Sequence, residues 1–67
     1  MTQEEWEESN AVAAAMVAHG GSFVRALGYL VDMADEQNLL RLKGAFPELW
    51  AKYGAMARKE VSDGAKG

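Results

Sequence analysis

The chain has 67 residues and no cysteine, enough for one domain and too few for two. A hydrophobic content of 49% excludes disorder by composition, and the lack of cysteine excludes disulfides and thiolate metal sites. A net charge of −3 and a pI near 4.9 lack the electrostatic footprint of a nucleic-acid binder.

Thr2 to Glu5 fits a capping box, in which a threonine hydroxyl serves free amides and a glutamate three residues on reaches back. Glu4, Glu5, Glu7 and Glu8 then fall in the first turns, where the helix dipole favours negative charge. A helix over 3–18 follows, stopped by Gly20-Gly21 with His19 in its last turn. One face carries Trp6, Ala13, Met16 and Val17, and another carries Ala11, Ala14, Ala15 and Ala18. That alanine row reads either as good helix former or as a surface that a second helix approaches closely.

Ser22 is placed to cap a second helix over 22–34, SFVRALGYLVDMA, the hub of the expected fold. Phe23, Leu27, Leu30, Val31 and Ala34 recur at helical spacing, with Val24, Ala26 and Met33 widening the stripe beyond the ~100° of a surface helix. Arg25, Gly28 and Asp32 are left for the opposite side. So broad an apolar face calls for cover from two neighbours.

Asp35 is placed to cap a third helix over 36–45, which carries Leu39, Leu40 and Leu42. Phe46-Pro47 breaks it and starts a fourth over 47–61, packed through Leu49, Tyr53, Met56 and Ala57 with Trp50 and Val61 on the flank. Residues 62–67 lack an apolar anchor and are expected to form a flexible tail. The expected fold is all-α: one domain over 1–61, a bundle of four helices. A core this small closes its stability gap by self-association, so a homo-oligomer, a dimer or higher, is expected.

The segment from Gly21 to Tyr53 carries Ala34-Asp35-x-x-Asn38 and Ala45-Phe46-Pro47-Glu48-x-Trp50-x-x-Tyr53. In these residues, about half the chain, it resembles a group of small helical proteins encoded by bacteriophages and prophages. The resemblance implies a phage-type accessory protein acting in the cytoplasm of a bacterial host cell. It brings no reaction and no catalytic residues.

No catalytic residue, cofactor or metal site is expected. His19 stands beside two glycines, Ser22 has no base nearby in sequence, and Glu4 with Glu8 offers only two exposed carboxylates to a metal. The acidic start and the lack of an apolar run of ~18–20 residues indicate a soluble chain without signal peptide or membrane span. Protein binding suits the residues best, with Trp6, Tyr29, Trp50 and the alanine row Ala11, Ala14, Ala15 and Ala18 as candidate contacts. The partner would be a second copy or a host or phage protein, for example a component of a host defence system. The alternative is a small nucleic-acid-binding regulator using Arg41, Lys43 and Lys52, supplemented by Arg58 and Lys59, against which the acidic first helix repels phosphate.

Overall fold

The computed structural model describes the backbone of residues 1–66 and the side chains of residues 1–59. Four helices, and no strand, make up the described residues: α1 (Gln3–His19), α2 (Ser22–Met33), α3 (Glu36–Ala45) and α4 (Pro47–Lys66). The first three lie within a residue of the ranges expected from sequence. α4 continues past residue 61, because residues 62–66 contain no proline and a formed helix gains one hydrogen bond for each residue it adds. The side chains expected to form a tail over 62–67, together with that of Val61, lie outside the described residues.

The helix starts follow local chemistry. The Glu5 N–H donates to Thr2 Oγ1 and the Thr2 N–H donates to Glu5 Oε1, each at 3.2 Å, which completes the capping box. Ser9 Oγ, buried further along α1, donates to the Glu5 carbonyl at 2.8 Å. At α3 the Asn38 N–H donates to Asp35 Oδ1 at 2.9 Å. The cap of α2 differs from expectation: Gly21 holds the capping position without a side-chain bond, and Ser22 is already the first helical residue. The turn before it is built on space. Gly20 has an extended backbone, φ −81°, and an added Cβ would lie 2.5 Å from the Met16 carbonyl oxygen and 2.6 Å from Val24 Cγ1.

The element that organises the chain is α1, not α2. It packs against both α2 and α4, and α3 meets the rest mainly through α4. Met16, Leu39 and Val12 are the largest fully enclosed side chains, joined by Ala13, Ala15, Leu27, Val31, Trp50, Tyr53 and Ala57. Small residues explain why α1 takes the central place: Ala13 and Ala15 leave room for helices on two sides. Gly28, expected on the polar side of α2, is buried against α1. A Cβ there would lie 2.9 Å from the Ala13 carbonyl oxygen, Met16 Cβ and Val17 Cγ2. The two helices therefore meet almost backbone to backbone, and α2 turns Leu27, Gly28 and Val31 inward.

The broad apolar face of α2 is consequently only half covered. Leu27 and Val31 are 3% and 4% exposed, whereas Leu30 is 51% and Met33 74% exposed. The expected second neighbour is replaced by one ring contact, Phe23 edge-on to Phe46 with centroids 5.7 Å apart.

Candidate protein-binding surface

The uncovered part of α2 is built from residues spaced three and four apart: Phe23, Ala26, Leu30 and Met33. Every one of them is exposed, and Tyr29, 53% exposed, borders the strip. Because 3.6 residues make a turn, this spacing lines the four up on one side of the helix, next to the strip that faces α1. Between α2 and α3 the surface deepens into a groove of about 470 Å³ lined by Leu30, Met33, Ala34, Leu42 and Ala45, with Asn38 and Arg41 as polar members. Arg41 Nη1 donates to Asn38 Oδ1 at 3.5 Å across one turn of α3, a weak tether for a guanidinium at the groove's rim. Leu40, 51% exposed, is absent from the groove lining.

A second concavity, about 730 Å³, lies between the start of α1 and α4. It is lined by Ala11, Val12, Gly54 and Ala57 together with Glu4, Glu5, Glu7, Glu8 and Arg58. The carboxyl of Glu5 is held below its ordinary value of 4.5, first by the backbone N–H of Thr2 and then by its hydroxyl. The Met1 ammonium donates to Glu36 Oε1 at 2.7 Å, and this bond raises its pKa above the ordinary 8.0. Among the described residues no group of three or more His, Cys, Asp or Glu is arranged to hold a metal ion.

The protein-binding candidates separate into inside and outside. Trp50 and Ala15 are buried within the protomer, Trp6 and Ala11 are half-buried against the core, and Tyr29, Ala14 and Ala18 are exposed. Trp50 thus serves the core, its Nε1 buried without a hydrogen-bond partner and the Lys43 ammonium 5.5 Å from its ring. The alanine row is divided: Ala15 faces inward because α1 is covered on two sides. Periodicity puts Phe23, Leu30 and Met33 in the same stripe as the buried Leu27 and Val31, and it does not distinguish the exposed residues from the covered ones. The signal was the excess width of that stripe.

The basic candidates are dispersed. Arg41 stands at the α2–α3 groove, Lys43 lies 4.0 Å from Glu8 and over Trp50, Lys52 lies over the Tyr53 ring, and Arg58 lines a concavity shared with four glutamates. Lys59 is exposed near the end of the described side chains. No protein-family model, curated protein or solved structure matches the chain. No helix among the described residues is long and apolar enough to cross a membrane.

Proposed function

We propose that this protein acts without catalysis, as a small module that binds other proteins and self-associates. The observation that carries the reading is the exposed apolar strip of α2, on a chain whose core is otherwise closed around α1. Strips of this kind, rimmed by polar groups, mark interaction surfaces. The polar groups beside this one are Asn38 and Arg41. The acidic first turns of α1 add a charged surface suited to drawing in a basic partner.

The setting we favour is that of a phage-type accessory protein in the cytoplasm of a bacterial host, with a host protein such as a defence component as partner. Its support is the Ala-Asp-x-x-Asn and Ala-Phe-Pro-Glu-x-Trp-x-x-Tyr resemblance. Nucleic-acid binding is the weaker reading, since specific binders bring several basic residues to one phosphate-facing surface and here they are scattered among carboxylates and aromatic rings. The experiment is a titration of labelled duplex and single-stranded DNA at low salt beside affinity capture from bacterial lysate. The expected result is no salt-sensitive DNA binding, with capture of a discrete protein that is lost on charging the α2 face or on neutralising the α1 glutamates. Micromolar DNA binding lost on neutralising Arg41, Lys43 and Lys52 would overturn the proposal.

A further inference from the structure

The geometry points to a second copy of this chain as the occupant of the α2 strip, paired antiparallel along Phe23, Ala26, Leu30 and Met33 about a two-fold axis near position 28. This rests on the protein-binding reading and specifies its first partner. The alternating three-and-four spacing is that of a two-helix seam, in which residues of one helix fit between those of another. A two-fold contact is self-complementary: where residue i meets j, j meets i. Antiparallel pairing satisfies that condition in every layer, because 23 and 33 lie as far from position 28 on either side as 26 and 30 do.

The sizes match in the same register. Each Ala26 faces a partner Leu30, small against large, and each Phe23 faces a partner Met33, ring against thioether, a favourable contact. Parallel pairing would set Ala26 on Ala26 and leave a void between bulkier layers. Gly28, at the centre of the seam's length, is turned away into α1, so α2 enters the pairing backed by a rigid neighbour.

The area is consistent with a small dimer. Phe23, Tyr29, Leu30 and Met33 are 62%, 53%, 51% and 74% exposed. With aromatic side chains presenting ~150–250 Å² each, these four leave on the order of 450 Å² of apolar surface per copy. That is about half of the ~800 Å² per partner in a standard interface, which places the pair among small interfaces that form at high concentration. Twelve residues of α2 give a seam about 18 Å long, one short helical face against another.

The test is the molar mass of the full chain by sedimentation equilibrium between micromolar and millimolar concentration, with circular dichroism confirming that each variant is helical. Wild type should be a dimer at the upper end. A26K and L30E should each weaken it by roughly 30-fold or more, the scale of losing a central interface residue. L40E, on an exposed leucine outside the groove, should leave it unchanged. An equimolar mixture of A26K and L30E chains should restore association, because antiparallel pairing brings the new lysine against the new glutamate and keeps an Ala26–Leu30 layer intact. A wild-type monomer throughout, a dimer indifferent to A26K and L30E, or a mixture that stays monomeric would each overturn the proposal. If a monomeric wild type captures another protein that the L30E variant does not, the second copy is refuted while the protein-binding reading stands.

Discussion

Gly28→Ala is the substitution most sensitive to the way α1 and α2 meet. In an exposed helix interior this change stabilises by about 0.5–1 kcal/mol, through backbone entropy and propensity. At position 28 the new methyl would lie 2.9 Å from three atoms at once, of which the Ala13 carbonyl oxygen and Met16 Cβ are fixed to the α1 backbone. Neither withdraws by side-chain rotation, so the two helices must move apart. Such overpacking typically costs about 1–3 kcal/mol, and separation also loosens Leu27 and Val31 from Met16. The steric cost exceeds the propensity gain, leaving a net loss of about 1–2 kcal/mol, or roughly 4–16 °C in Tm for a domain of this size. Gly44→Ala serves as the control, since nothing lies within 4 Å of the added Cβ. It should stabilise by about 0.5–1 kcal/mol. Urea unfolding followed at 222 nm, at one fixed protein concentration because association shifts apparent stability, measures both. A Gly28→Ala protein as stable as its Gly44→Ala counterpart would refute the close α1–α2 packing.

Further outcomes follow from the same contacts. Leu39→Ala removes the one fully buried side chain of α3 and should cost about 2–5 kcal/mol in urea unfolding. Asp35→Ala removes the bond to the Asn38 amide and should cost about 1 kcal/mol by the same measurement. Trp50→Phe keeps most of the ring volume and deletes an N–H that has no partner, so it should cost much less than Trp50→Ala, expected at about 3–5 kcal/mol. The pH dependence has two edges. Glu5, with its folded pKa depressed, contributes stability that is present above 4.5 and lost as pH falls through the folded value, and Glu5→Gln should remove that acid edge in urea midpoints. The Met1 ammonium, with its folded pKa raised, contributes stability that is full below 8.0 and lost as pH rises through the folded value, an edge that Glu36→Gln should remove.

Helix number and every boundary but the end of α4 were legible because the determinants are local. Thr2 with Glu5, Asp35 with the Asn38 amide, and Phe46-Pro47 act within a turn of where they sit. What lay beyond reach was the choice among apolar residues on α2. Periodicity marks Leu27 and Leu30 alike, and only packing distinguishes 3% from 51% exposure. Gly28 has no side chain to add to an apolar stripe, yet that lack is what lets α1 approach. Trp50 lies at the margin of its stripe, a position that suits a contact surface, and burial places it in the core. The candidate surface was visible only as an excess, an apolar stripe wider than one neighbouring helix covers.

The most direct test of the central claim, that α2 closes against α1 on one side and stays open on the other, is a methyl NOE spectrum of the L30E variant and of wild type at low micromolar concentration. Contacts from Leu27 and Val31 methyls to Met16 are expected in both, with the wild-type Leu30 and Met33 methyls giving none to Met16, Val12 or Tyr53. Cross-peaks from Leu30 or Met33 to those core residues in the dilute protein would contradict it.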